Sequence, residues 1–404
     1  MQRSRTLTRV LDGQLCTGCG LCSSLAGSAI EMQTESPGYS RPVQRTPISD
    51  LVEGTIAATC PGAIVAGWGE AREVHPYWGP LTSVGTGHAT DPAVRYEGSS
   101  GGALSALLIH ALETGLVDRA IHVAADPDEP TRNVTTVSRT AAEVLSGAGS
   151  RYTASSPLEQ IDAALVEGGS MAFVGKPCDV SALKRLAKVD ARVQRHIPIS
   201  LSFFCGGLPS HDGVERILTT MGVRREELVA FRYRGRGWPG TAAATTQDGR
   251  VLEMSYADSW GGHLSKEVQF RCKVCPDAVG GVADIACADA WYGGETGYPT
   301  FEEQDGRSLV IGRSEAGERL LESARAAGVL VIEPLSANEI DLMQPSQARR
   351  KRLIAARTAA LFVTLQPRPE MWGTLVGQAA KRAKLVEAMH NFAGTVRRVV
   401  MGRR

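Results

Sequence analysis

The sequence has little of what would send a chain to a membrane, to nucleic acid or out of the cell. Aromatic residues make up 5 % of its 404 positions and the formal net charge is +1, so the chain as a whole shows no electrostatic bias toward nucleic acid or anionic lipid. No run approaches the ~18–20 apolar residues needed to span a bilayer. The first residues, MQRSRTLTRVLDGQLC, are positively charged but lack the apolar stretch of a secretory leader, and a cytoplasmic location is expected. Without such a leader, nine cysteines argue for metal binding over disulfide stapling. A hydrophobic content of 43 % with 22 % charged residues is ordinary for a chain that folds around a core. The length predicts two or three domains.

What stands out is Cys16-Thr-Gly-Cys19-Gly-Leu-Cys22. Thiols at this spacing, separated by small residues, let the backbone curl until three sulfurs point at one centre, and bacterial ferredoxins hold three corners of a 4Fe–4S cluster in this way. Gly18 and Gly20 suit the curl, because glycine enters backbone conformations that other residues resist. Cys60-Pro61-Gly62 offers a fourth thiolate in the Cys-Pro form that ends such motifs. The alternatives are a zinc knuckle, which usually pairs two Cys-x-x-Cys hooks, and a disulfide framework, for which the spacing is too tight.

Around this motif the chain reads as alternating elements. Residues 28–32 suggest a strand, 35–46 a hairpin or loop, and 48–58 a helix delivering Cys60. The aromatic, Gly- and Pro-rich stretch 67–80 reads as a linker. Ser99-Ser100-Gly101-Gly102 then feeds an apolar-periodic helix over 103–113, and a glycine loop at a helix start presents unpaired N–H groups suited to a phosphate. The runs 116–125, 171–175 and 198–204 read as strands, with helices near 158–166, 182–187 and 213–221. Cys178 and Cys205 thereby fall at the C-terminal ends of two strands, where α/β sheets collect ligands. A β-rich portion (228–235, 241–246, 251–257) precedes a second hook, Cys272-Lys-Val-Cys275. One hook cannot close a site, and Cys178 and Cys205 are the obvious completing pair; a redox-active dithiol or zinc are the alternatives. Cys287 reads as a small core hydrophobe. Strands at 308–313 and 329–333 flank a helix over 315–327. From Arg349 onward thirteen Lys/Arg face only Glu370 and Glu387, and interleaved apolar residues predict basic amphipathic helices, read first as a solvated tail and second as a docking element for an acidic partner or membrane surface.

The pieces GSSGGALSALLIHALETGLVDRAIHV, AGSRYT, FVGKPCDV, FFCGG, CKVCPD and ADIACADAW follow one another as in the coenzyme F420 hydrogenase/dehydrogenase β-subunit family, which the chain resembles from about residue 10 to about residue 335. The resemblance implies an α+β fold: a ferredoxin-like module over 1–70, a mixed-sheet FAD-binding domain over 80–340, and a basic helical tail over 345–404. It implies one 4Fe–4S cluster on Cys16, Cys19, Cys22 and Cys60, and where present a second on Cys178, Cys205, Cys272 and Cys275. It places FAD against Ser99, Ser100, Gly101 and Gly102, with Ser where the family usually has Gln, and against Ser150, Arg151, Tyr152, Asp284 and Asp289. Arg232, Arg234, Arg236 and Lys266 are candidates for orienting an anionic substrate or the flavin phosphate. The implied activity is electron transfer through the clusters, entering at an exposed N-terminal one, to FAD and on to coenzyme F420 or a similar hydride acceptor. A ferredoxin-dependent reductase of a biosynthetic intermediate and a non-catalytic electron-transfer subunit are the alternatives, and the expected partner is ferredoxin or another redox subunit.

Overall fold

The computed structural model describes residues 3–69, 71, 73–291, 293 and 300–402. Ser4 caps the first helix, Arg5–Asp12, and beyond the cysteine run an antiparallel hairpin forms from β1 (Ile30–Glu35) and β2 (Tyr39–Gln44). Helix Asp50–Thr59 follows, its N terminus satisfied by the Ser49 side chain, which accepts from the Val52 N–H at 3.3 Å. It stops at Cys60, as expected.

A second hairpin, β3 (Glu73–His75) and β4 (Gly79–Leu81), occupies most of the stretch read as a linker. Trp68, Tyr77 and Trp78 are buried there, packed with Leu309 and Ile311 of the central sheet and with Ile340 and Ala348 from the C-terminal region. Turn-forming composition suggested a solvated connector, but burying three large aromatic rings outweighs it.

The body is an eight-stranded sheet. Its first members are β5 (Ser83–Ala89), β6 (Arg119–Ala125), β7 (Asn133–Ser138), β8 (Met171–Gly175) and β9 (Ile199–Phe203). A separate three-stranded antiparallel sheet, β10 (Leu228–Arg232), β11 (Thr241–Thr246) and β12 (Val251–Ser255), intervenes. Then β13 (Ile285–Asp289), β14 (Ser308–Gly312) and β15 (Leu330–Pro334) return to the large sheet, whose order is β15-β5-β14-β13-β9-β8-β6-β7. The neighbours β6, β8, β9 and β13 run parallel, and antiparallel strands complete both edges. Parallel strands read as unbroken apolar runs because helices cover both faces. Ala172 and Val174 pack toward helices Ala103–Glu113 and Glu315–Ala326, while Met171 and Phe173 pack toward Ile161–Glu167 and Pro177–Leu186. Cys287 on β13 lies in the first of these layers as a small apolar residue, its thiol pushed up to about 12 by burial.

The basic C-terminal segment is helical, over Pro345–Val363, Val376–Ala380 and Leu385–Val400, but it is not a solvated tail. Leu353, Ile354, Ala360 and Leu361 are fully buried. Leu361 packs with Val10, Leu15, Phe270 and Val274, so this segment closes over the N-terminal unit and the second hook together. Arg403 and Arg404 lie outside the described residues. No helix among the described residues is long and apolar enough to cross a membrane.

Candidate metal and cofactor site

The N-terminal quartet is built almost entirely from local geometry. Gly18 and Gly20 take φ of +76° and +85°, where L residues are strained. A side chain at Gly20 would also stand 2.8 Å from the Glu159 backbone nitrogen. The loop is pinned from outside, since Leu158 N–H donates to the Cys19 carbonyl at 2.9 Å and Ser156 Oγ donates to the Gly18 carbonyl at 3.0 Å. Helix Asp50–Thr59 then sets Cys60 as its C-cap. Cys16, Cys19, Cys22 and Cys60 line one pocket, walled by Leu7, Val10 and Ile56. Cys16 and Cys19 are only 8 % exposed, so the site is more enclosed than expected. Burial raises the Cys16 thiol and, with Cys16 next to it, pushes Cys60 up to about 11. Cys19 and Cys22 are raised by burial and then by the neighbouring cysteines. Thiols so placed resist ionising by themselves, and the charge of a bound metal inverts that preference.

The second quartet is assembled by the tertiary fold. Cys178 sits in the first turn of helix Pro177–Leu186, directly after β8. Cys205 follows β9 and donates its N–H to the Ala278 carbonyl at 2.8 Å. Cys272 lies on the short helix Phe270–Lys273, and its sulfur accepts from the Leu208 N–H at 3.3 Å. With Cys275 these side chains line one pocket. The C-terminal helix clamps it. Gln347 Nε2 and Arg350 Nη1 donate to the Cys205 carbonyl at 3.0 and 2.9 Å, and Arg350 Nη2 donates to that of Gly206. Lys351 reaches the Pro276 carbonyl, and Arg357 Nη1 the Lys273 carbonyl at 2.7 Å. Burial raises the thiols of Cys178 and Cys275 and takes Cys205 up to about 12.

Among the described residues no three His, Cys, Asp or Glu side chains converge tightly enough for a single metal ion, whereas zinc draws its ligands to about 2.0–2.3 Å of one centre. Each quartet lines a pocket of its own. The two pockets adjoin, and Thr17, 4 % exposed, lines both. Thr17, Gln269, Arg271 and Arg350 were not singled out from the sequence. Adjacency to a cysteine could have flagged Thr17 and Arg271; nothing local could have flagged Arg350.

The predicted flavin residues divide into two groups. Ser99 Oγ accepts from the Ser150 N–H and donates to the Arg234 carbonyl at 3.4 Å, so three of the predicted segments meet. Ser100 Oγ donates to the Arg307 carbonyl at 2.7 Å, and Gly101 N–H to Ser308 Oγ at 2.9 Å. Gly101 is forced by its own chain, because a Cβ there would lie 2.6 Å from the Gly87 carbonyl oxygen. Helix Ala103–Glu113 begins with no side-chain cap. Tyr152 packs at 4.8 Å on Trp260, and Arg151 is a brace, donating to the carbonyls of Pro130 and Arg132 at 2.7 and 2.8 Å.

Arg234 departs from its expected role. It is buried with both Nη groups on Asp289 at 2.8 and 2.7 Å and Nε on the Pro239 carbonyl at 2.8 Å. Tyr256 and Trp291 pack on its guanidinium at 4.5 and 4.8 Å. Burial works against the charge, but Asp289 holds it firmly protonated. Both side chains are structural posts with no free fork for a ligand. Arg232 is likewise paired with Glu97, whereas Arg236 is exposed and meets Glu97 at 3.3 Å. Lys266 is exposed on a short 3-10 turn, and no hydrogen bond or ion pair joins it to the loop among the described residues. Asp284 falls at the wrong end of β13, roughly 16 Å of extended chain from Asp289. There it accepts from Ser200 N and Oγ at 2.8 and 2.6 Å, from Ser314 Oγ at 2.8 Å and from Lys184 at 3.1 Å. It locks the edge of the sheet opposite the cysteines.

The family model for the N-terminal part of the coenzyme F420 hydrogenase/dehydrogenase beta subunit matches residues 84–162, and the model for its C terminus matches 168–338. The second quartet lies inside these spans; the first, and the C-terminal clamp, lie outside them. A coenzyme F420 hydrogenase subunit beta from Methanococcus voltae is 28 % identical over 271 residues, 65 % of this chain and 89 % of that protein. A coenzyme F420-dependent sulfite reductase from Methanocaldococcus jannaschii is 24 % identical over 367 residues, 85 % of this chain and 50 % of that protein. A chain of the xenon-derivatised F420-reducing [NiFe] hydrogenase complex from Methanosarcina barkeri shares the fold, with a TM-score of 0.56 and 21 % identity over 74 % of this chain and 99 % of that one. Two adjoining matches in the right order, over residues 84–162 and 168–338 and so over more than half of the chain, establish that the chain belongs to the coenzyme F420 hydrogenase/dehydrogenase beta-subunit family.

Proposed function

We propose that this chain is an iron–sulfur flavoprotein oxidoreductase. Cys16, Cys19, Cys22 and Cys60 hold one 4Fe–4S cluster, Cys178, Cys205, Cys272 and Cys275 a second, and coenzyme F420 or a similar hydride acceptor is the substrate. The observation that carries this reading is the assembly of eight cysteines into two four-cysteine pockets that share the wall residue Thr17. When bound, clusters carry single electrons and FAD exchanges them for two-electron hydride chemistry.

The protein's own part follows from its residues. Hydrogen bonds to the Cys272 sulfur from Leu208 N–H at 3.3 Å and from Gln269 Nε2 at 3.6 Å withdraw electron density from a thiolate and favour the reduced state of whatever it ligates. Next to the Ser99–Gly102 loop, helix Ala103–Glu113 starts without a side-chain cap, and the N–H groups of its first turn support a phosphate-bearing cofactor there. Tyr152 and Trp260 pack at 4.8 Å and Tyr256 and Trp291 at 5.6 Å in the same region. Arg236, exposed and meeting Glu97 at 3.3 Å, is the arginine of this region placed to meet an anionic substrate at the surface.

Anaerobic purification with iron, sulfide and flavin counted per chain tests the reading. About eight irons with one FAD is the expected result. About four irons would remove the second quartet as a cluster site, and zinc without flavin would overturn the reading. A second reading, an electron-transfer subunit of a larger assembly, is favoured by the naming of the Methanococcus voltae relative as a subunit and of the Methanosarcina barkeri structure as a complex. Turnover of reduced F420 by the isolated chain with an artificial electron acceptor would exclude it.

A further inference from the structure

Arg271 stands where the two cysteine pockets meet. It is 2 % exposed, immediately precedes Cys272 and lines the second pocket. Its Nη2 donates across the boundary to the Pro61 carbonyl at 2.9 Å, next to Cys60 of the first quartet. One guanidinium therefore braces the backbone of one site while forming the wall of the other. Its remaining donors are not satisfied: Nε and Nη1 are buried and have no hydrogen-bond partner among the described residues. Nor does a neighbouring carboxylate neutralise it. Asp277 lines the same pocket, but its oxygens accept from the Val279 and Gly281 N–H groups at 3.0–3.1 Å, and no ion pair joins the two side chains among the described residues. Arginine has five donors and stays charged, so burying it with a single hydrogen bond is costly unless an anion completes the site. A 4Fe–4S core on four thiolates is such an anion, with sulfur acceptors on its surface.

We propose that Arg271 is a cation shared by both cysteine sites: its unpaired N–H groups serve the group held by Cys178, Cys205, Cys272 and Cys275, while Nη2 fixes the Cys60–Pro61 turn of the other site. The inference rests on the two-cluster reading above and deepens it. A positive charge in the common wall favours the added electron on either side, so the two reduction potentials are tied to one residue. Arg271 is in this sense a positioning and tuning residue and touches no substrate.

The test is redox titration of the anaerobically purified chain, followed by electron paramagnetic resonance so that each cluster is read separately. With Arg271→Gln both midpoint potentials are expected to fall, each by at least a tenfold change in its reduction equilibrium, about 59 mV for one electron. Arg271→Lys, which keeps the charge but loses the fork, should move both the same way by less, and it carries the test should Arg271→Gln fail to fold or to retain iron. A shift confined to one cluster, or full iron with neither potential moved, overturns the shared role while leaving the two-cluster reading intact. Wild-type protein with about four irons overturns both, and is recognised before any variant is made.

Discussion

The two cysteine quartets reach similar pockets by opposite routes. The first takes three of its cysteines from Cys16–Cys22, and its curl is written into Gly18 and Gly20, the latter with no room for a side chain beside Glu159. The second collects its cysteines from the ends of β8 and β9 and from a hook far downstream, and is then held by a helix that begins only at Pro345. A local site tolerates distant changes and fails when its own backbone is disturbed. A site built from strand ends fails when the packing that sets those ends is loosened.

The largest expected effects separate the two sites. Cys272→Ser should remove about half of the iron while the N-terminal signal persists, and Cys19→Ser should do the reverse; loss of all iron in either variant would show that the sites are not independent, as read by iron content and electron paramagnetic resonance. Gly20→Ala comes next. An L residue at φ +85° costs about 1–2 kcal/mol, and the contact with Glu159 adds to it, so iron should leave the first site preferentially and the melting temperature should fall. Arg350→Ala strips donors from the Cys205 and Gly206 carbonyls. Cys205 keeps its bond from Gln347 and the half-buried Gly206 carbonyl loses its donor, a loss of roughly 1 kcal/mol, and a chelator should draw iron from the second site several-fold faster with the first unchanged. Equal acceleration at both sites would dissolve the distinction between them.

The smallest effect concerns the hairpin beneath the clamp. His75 Nδ1 accepts from the Tyr77 and Trp78 N–H groups at 3.2 and 3.3 Å, and Arg382 lies against Nε2. Burial, and then Arg382, push its protonation down from 6.5 to about 4. The unfolded chain binds this proton more readily, so the stability His75 contributes is complete above about pH 6.5 and is lost as pH falls toward 4. Denaturant midpoints measured from pH 7 to 4.5 should drop less steeply in His75→Asn than in the wild type; parallel curves would assign the acid sensitivity elsewhere, His211 being the next group held neutral by burial.

How far the sequence could be read depended on whether a residue's partner was near it in the chain. Helix Ala103–Glu113 appeared where its apolar period placed it. The buried strands β8 and β14 appeared as apolar runs. Arg234 looked like a free cation on a strand because Asp289 and Trp291, which consume it, lie more than fifty residues downstream. Asp284 and Asp289 looked like one motif, yet they stand at opposite ends of a single interior strand. Lys266 had only its charge to recommend it and remains at the surface.

By itself, the sequence determined the N-terminal curl, the strand and helix alternation, and the candidate membership of all eight cysteines. These follow from backbone conformation, apolar period and thiol spacing, which act over a few residues. Only the tertiary structure decided that the stretch 67–80 is core, that the basic C terminus is a clamp, and that Thr17 and Arg271 stand between two pockets. Those outcomes depend on burying aromatic rings and satisfying carbonyl groups with donors hundreds of residues away, which no local pattern encodes.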